Sequence, residues 1–415
     1  MQEKKNVFHG HRWLRGRCFL HLIKALAKMI PLIVYMLSHL SCRKRNRWVF
    51  GSRSNTFSDN SKYLFLYLSH HGDDDLNIAW ITGNKKLVDE LRGNGLNAYA
   101  RWSIKGIIFA LTSKVFVFSF YANDINFWLS GRAKHINLWH GVGIKNIEFG
   151  IKNGPLQNKY KESFFNLWRL ISPQIFRRPD LLLSTSEAMT KHFSKCFRID
   201  EDKCVQAGYP RVEGNLVGNG DCISYSGDLE CDSFIEHGSA DKRFVLYMPT
   251  WRDSSDDFLE SSGFDFKCLD SFNKANDIVF FVKLHPNTKC IIGDEYETIK
   301  VVDNGVDVYP FLKKFDVLVT DYSSIYYDFM VTGKPTIFYI FDHDDYAANS
   351  REFVMPFRDS ICGVECHNFK ELLLALEKQT YLSVDFEKYN YVRNYFWGEG
   401  NEGSCQKIID AIKNI

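Results

Sequence analysis

The stretch Phe315 to Tyr339, FDVLVTDYSSIYYDFMVTGKPTIFY, limits the architecture of this chain more than any other. An apolar run of strand length, Phe315 to Thr320, leads into a small polar loop. A helical segment then reaches Gly333-Lys334, and a second β-rich run begins at Pro335. Strands this short and this apolar need cover on both faces, which a parallel sheet flanked by helices supplies. Ser323 and Ser324 fall where the helix starts, so their hydroxyls and the unpaired N–H groups behind them suit one anion. Plain helix capping is the alternative use of the same residues.

The same alternation recurs along the chain. Before residue 214, strands are expected at Arg47 to Gly51, Leu76 to Thr82, Lys114 to Phe120, Lys134 to Trp139 and Leu181 to Ser184. Helices are expected at Ser61 to His70, Lys85 to Gly93 and Ile104 to Thr112, and from a Ser186 cap towards Cys196. From Gly214 to Ser239 the chain is polar, rich in Gly and Ser, and without periodicity, which reads as a domain boundary. Beyond it come strands at Arg243 to Met248, Ile278 to Leu284 and Thr298 to Val302. Helices at Asp307 to Lys314, Phe369 to Lys378 and Gly403 to Ile415 complete the second half. A length of 415 residues accommodates two such domains.

Charge is uneven. Residues 1–47 hold eleven Lys/Arg and a single acidic residue, Glu3, so the rest of the chain is net acidic. That argues against a nucleic-acid binder, which would spread basic residues over its folded face. Cys18 to Leu40 is long enough to span a bilayer, but Lys24, Lys28, His21, His39 and Pro31 interrupt it. Basic residues flank it on both sides, Arg12 to Arg17 and Arg43 to Arg47, so an interfacial helix on an anionic membrane surface is the expected use. The eleven cysteines show no zinc-like spacing and read as free thiols in a reducing compartment. No cofactor is called for. Asp73-Asp74-Asp75 and Asp342-His343-Asp344-Asp345 leave room for a divalent cation, although solvated acidic loops are the simpler reading.

Polar groups of one chemical kind collect at the strand ends: His140, Arg211, Thr250, His285, Ser323 and Ser324. They are hydrogen-bond donors and proton carriers, suited to a diphosphate and an attacking hydroxyl. Open α/β sheets bind ligands at these carboxyl ends.

Five ordered segments carry a resemblance. Trp139-His140-Gly141, Gly208-Tyr209-Pro210-Arg211, Pro249-Thr250-Trp251-Arg252-Asp253, Lys283-Leu284-His285-Pro286 and Thr320-Asp321-Tyr322-Ser323-Ser324 with Asp328 resemble the motifs of the CDP-glycerol glycerophosphotransferases. These are teichoic-acid and capsule polymer enzymes of the TagB/TagF type, and the resemblance covers Trp48 to Trp397. It implies a GT-B-like α/β fold, two Rossmann-like domains with parallel sheets facing a cleft, on the cytoplasmic face of the membrane. The domains would be a membrane-association segment at 1–47, an acceptor-side domain at 48–225, a CDP-polyol domain at 240–395 and a C-terminal helix at 396–415.

Carried over by position, the resemblance makes His140 and His285 catalytic. It places Gly141, Val142, Gly143, Ile144, Arg211, Pro249, Thr250, Lys283, Ser323, Ser324 and Asp328 around the substrate. His140 would be the general base. His285, Arg211, Lys283 and the two serines would hold the diphosphate, and Asp328 would bind polyol or ribose hydroxyls. The expected reaction transfers glycerol phosphate from CDP-glycerol to a hydroxyl of a lipid-linked glycan or polymer acceptor, releasing CMP. A GT-B glycosyltransferase using a nucleotide sugar, or a CDP-ribitol enzyme, are the alternatives. Two departures stand out. Val142-Gly143-Ile144-Lys145 replaces the usual Thr-Pro-Leu-Lys, and Lys283 stands where Arg is also frequent.

Overall fold

Burial follows the apolar runs. Strand β9, Ile278–Val282, reads IVFFV and is buried at every position. So are Val317–Thr320 (β11) and Thr336–Tyr339 (β12). With no polar face to give to water, such strands sit inside helix-covered parallel sheets. The structure is a computed structural model. It describes residues 30–415 apart from 73–74, 154–155, 162–167, 218–241, 251–261, 286–287, 289–291, 294, 304, 343–352, 399 and 401.

Two sheets result. The first contains β1 (Lys44–Phe50), β2 (Asn77–Thr82), β3 (Ala98–Ala100), β4 (Ser113–Phe118), β5 (Lys134–Asn137), β6 (Leu181–Ser184) and β7 (Cys204–Gln206). Their order is β3-β2-β1-β4-β5-β6-β7, and every pairing is parallel. The second adds β8 (Arg243–Tyr247), β10 (Ile299–Val301) and β13 (Val364–Cys366) in the order β10-β9-β8-β11-β12-β13, again parallel. In each sheet the winding reverses once, between β1 and β4 and between β8 and β11. Crevices at such reversals are where doubly wound sheets take ligands.

The expected helices at Lys85–Gly93, Ile104–Thr112 and Phe369–Lys378 are present with those bounds. Ser186 does cap the helix Glu187–Phe197, accepting from the Met189 N–H. Elements outside the expectation include β3 and β13, each three residues long, the helix Phe266–Ala275 and the helix Phe386–Trp397. That last helix joins the two halves. Thr185 Oγ1 donates to the Phe396 carbonyl at 2.5 Å, and Trp397 Nε1 donates to the Tyr327 carbonyl at 2.8 Å. The C-terminal helix, Ser404–Lys413, packs back on the first unit. Glu213 accepts from the N–H groups of Ser404 and Cys405, a carboxylate on the positive end of a helix.

Most of the boundary stretch Gly214 to Ser239 and the first half of the expected interfacial segment fall outside the described residues. Among the described residues no helix is long and apolar enough to cross a membrane. One expectation for that region changes. Arg43, read as part of a basic flank for lipid, donates to the carbonyls of Gly131, Ala110, Ser113 and Leu129. Its charge is built into the start of the first sheet, and burial lowers its pKa to about 10.

Candidate active site

The carboxyl ends of the two sheets meet. Past β5 the chain runs Leu138, Trp139, His140, Gly141. A Cβ built on Gly141 would lie 3.1 Å from Ser324 Oγ, which follows β11 in the other sheet. Further along the same loop, Lys145 forms an antiparallel bridge with Phe353, and the Val354 N–H donates to the Ile144 carbonyl at 2.9 Å. The loop carrying His140 is thus fastened to the second domain.

Trp139 adopts φ 51°, a left-handed conformation that is costly for a bulky residue. Its surroundings hold it there. The Asn137 side chain accepts from the Trp139 N–H at 2.9 Å, and Asn60 Nδ2 donates to the Trp139 carbonyl at 2.8 Å. The kink turns the next residue toward the cleft. The His140 ring packs on Trp139 and Phe120, with centroids 4.1 and 5.2 Å away. Its Nδ1 lies 3.2 Å from the Ser119 carbonyl, which only accepts. The neutral ring therefore carries its proton on Nδ1 and its lone pair on Nε2, the tautomer a general base needs.

The rest of that loop anchors it. Val142 and Ile144 are buried in the first core, and the Gly143 N–H donates to Met189 Sδ. A Cβ on Gly143 would come within 2.6 Å of His192, so glycine is required by space. The side chains of Val142 and Ile144, expected around the substrate, instead face the core because an apolar residue gains most there.

Opposite stand Ser323 and Ser324, both half-buried, at the start of the six-residue helix Ile325–Met330. The Ser324 side chain makes no cap hydrogen bond to that helix. Asp321 accepts from the Thr250 N–H at 2.8 Å, tying the end of β8 to the end of β11. Pro249 is buried beside it. Lys283 donates to the Asp303 carbonyl at 2.8 Å. His285 is exposed, and its pKa is held below the ordinary value by partial desolvation and by the charge of Arg53. The segments Trp251 to Asp253 and Pro286 to Asn287 lie outside the described residues.

Arg211 and Asp328 differ from the sequence reading. Arg211 is 4% exposed and Asp328 1%. Arg211 Nη2 meets Asp328 Oδ2 at 2.7 Å, and Nη1 meets Asp59 Oδ1 at 2.6 Å. Tyr309 donates to the same Asp328 oxygen, and the guanidinium lies between the Tyr209 and Tyr309 rings, 5.1 and 4.8 Å away. Both groups are thus engaged with each other across the domain boundary. Burial raises the pKa of Asp328 and Asp59 while the Arg211 charge opposes it. A second pair lies close by. Lys62 and Tyr63 both reach Asp307 Oδ2, at 2.9 and 2.8 Å. Burial acts to raise Asp307, but Lys62 and the hydrogen bonds outweigh it and its pKa falls.

Sequence reasoning missed Asp59, Asn60, Lys62, Asp307 and Tyr309. The run Asp59-Asn60-Ser61-Lys62 looks like an ordinary polar helix start, yet Asn60, Ser61 and Lys62 are buried completely. Among the described residues no group of three or more His, Cys, Asp or Glu is placed to hold a metal ion.

The profile of the CDP-Glycerol:Poly(glycerophosphate) glycerophosphotransferase family matches residues 33–414. The chain is 26% identical to the teichoic acid glycerol-phosphate transferase of Staphylococcus aureus (strain NCTC 8325 / PS 47), over 85% of this chain and 90% of that protein. It is also 26% identical to the teichoic acid ribitol-phosphate polymerase TarL of the same strain, over 82% of this chain and 58% of that one. The wall teichoic acid polymerase TagF superposes with a TM-score of 0.70 at 22% identity, covering 96% of this chain and 97% of TagF. With the profile match covering most of its length, the chain belongs to the CDP-glycerol:poly(glycerophosphate) glycerophosphotransferase family.

Proposed function

We propose that this protein transfers glycerol phosphate from CDP-glycerol to a hydroxyl of a glycerol-phosphate or lipid-linked glycan acceptor, releasing CMP, in teichoic-acid-like or capsular polymer synthesis. The observation that carries the mechanism is His140, set by the Trp139 kink at the cleft and held by Ser119 with its lone pair on Nε2. The acceptor hydroxyl attacks the glycerol-bearing phosphorus while its proton passes to Nε2. The new O–P bond forms as the bond from that phosphorus to the bridging oxygen breaks, and CMP leaves with the electron pair. His285, its pKa held below the ordinary imidazole value, serves as an N–H donor to the leaving phosphate. Ser323 and Ser324 donate from the opposite wall. In assays of purified protein with CDP-glycerol and acceptor, His140→Ala is expected to lose 10²-fold or more of acceptor-dependent CMP release. Release at the wild-type rate, or a nucleoside diphosphate product, would remove this reading. A parallel assay with CDP-ribitol decides the donor, since a ribitol-phosphate polymerase is among the relatives.

The protein works at a membrane surface in this proposal. In the helical stretch 30–38, Val34 and Tyr35 join the first domain's outer core, where Tyr35 stacks on Phe127 at 4.6 Å. Ile30, Ile33, Met36, Leu37 and nearby Leu40 stay exposed. The helix Ile104–Thr112 packs on that same core and exposes Ile104 and Ile108, with Trp102 exposed just before it. Apolar side chains so placed support insertion at the headgroup boundary. Flotation with anionic vesicles tests it: Ile33→Asp with Leu37→Asp should release the protein, and undiminished flotation would count against the surface.

A further inference from the structure

Arg53 follows β1 at the β1/β4 reversal, the ligand crevice of the first sheet. Its loop is built rather than loose. Ser54 and Asn55 take φ 59° and 62°, the Gly83 N–H donates to Asn55 Oδ1 at 2.9 Å, and Ser52 Oγ donates to the Thr56 carbonyl at 2.7 Å. The guanidinium is held 4.7 Å above the Phe120 ring, and Phe120 in turn packs on His140. Through Phe120 the cation therefore stands on the His140 side of the cleft. In the other domain, the Arg53 charge adds to the desolvation that holds the His285 pKa below its ordinary value. Two other arginines of this domain are engaged: Arg101 with the Asp124 carbonyl and Arg211 with two carboxylates. Arg53 is exposed, and among the described residues its guanidinium makes no hydrogen bond or ion pair. Five N–H donors in a fixed fork beside a phosphoryl-transfer site match phosphate oxygens.

We propose that Arg53 binds the phosphates of the CDP-polyol donor, the place sequence reading gave to Arg211; this rests on the transferase reading above. The test uses the full chain as wild type, Arg53→Ala and Arg53→Lys. CMP release is measured with CDP-glycerol varied at fixed acceptor and then the reverse, and equilibrium binding is measured for CDP and for cytidine. Arg53→Ala should lower kcat/KM for CDP-glycerol and weaken CDP binding at least tenfold each, with cytidine binding and melting temperature unchanged and Lys restoring part of both. Unchanged CDP affinity with unchanged kcat/KM overturns the proposal, as does an effect confined to the acceptor's KM. Should wild type release no CMP, the transferase reading falls while CDP binding still decides for Arg53. Equal CDP affinity in wild type and variant, or none in either, then overturns it.

Discussion

Replacing Arg211 with Met separates a ligand-binding arginine from one that orders the fold. The substitution keeps most of the side chain's volume but leaves Asp328, 1% exposed, and Asp59 without their cation. A buried carboxylate stripped of its partner can stay charged or take up a proton. At pH 7 the second route costs about 4 kcal/mol, from roughly three pH units above an unfolded pKa of about 3.9 at about 1.4 kcal/mol each. That bounds the Asp328 contribution, and Asp59, whose side chain keeps 24% of its exposure, adds less. The expected loss is about 3–5 kcal/mol at pH 7, the range found when one partner of a buried pair is removed. The sign of the pH dependence follows. The folded pKa of Asp328 already lies above its unfolded value and rises further in the variant. Stability is then retained below about pH 4 and lost as pH climbs. By pH 5 the Asp328 deficit should shrink to about 1.5 kcal/mol. Urea unfolding of wild type and Arg211→Met at pH 5.0 and 7.0 measures both numbers, and Arg211→Met with Asp328→Asn should recover much of the loss. A deficit below 1 kcal/mol, or one equal at both pH values, refutes the reasoning. Weakened CDP binding with intact stability would return Arg211 to the diphosphate.

Two neighbouring glycines should fail in different ways. Gly143→Ala drives a Cβ into His192 and Phe193, 2.6 and 2.7 Å away, and should cost about 1–3 kcal/mol in urea unfolding. Gly141→Ala brings a methyl to 3.1 Å of Ser324 Oγ, narrowing the cleft; it should reduce CMP release severalfold with little change in stability, and the reverse ranking would contradict the assignment of cleft and core. His135, 2% exposed among Phe116, Phe118 and Phe127, has its pKa lowered to about 3 by burial and the Arg177 charge. The unfolded chain binds a proton near pH 6.5 that folded His135 refuses, so stability falls as pH drops from about 6.5 toward 3, by about 2 kcal/mol at pH 5. His135→Phe should flatten that slope in pH-dependent melting, and parallel profiles would assign the slope elsewhere.

The sheets were legible in the sequence because strands such as β9 and β11 are apolar throughout and bounded by polar turns. The ends of the strands were legible as well, which is why His140, His285, Ser323 and Ser324 were read as candidates. Their partners were not. An arginine after a strand reads the same whether it faces a phosphate or a carboxylate, and the carboxylates that engage Arg211 lie 152 and 117 residues away in sequence. Periodicity carries no information over such distances, and the three-residue strands β3 and β13 are too short to show any.

What the folded chain adds is a division of labour among its cations. The proposed reaction, shared between a histidine from each sheet, depends on how the two domains are set against each other. Hydrophobic contact tolerates sliding, whereas a buried ion pair is heavily penalised when its partners separate. Lys62 with Asp307 and Arg211 with Asp328 each cross the boundary, so a shift of one domain against the other would strand both charges. Arg211 therefore ties the two walls of the cleft together through its ion pairs, while Arg53, exposed at the reversal of the first sheet, is the cation proposed above to meet the ligand.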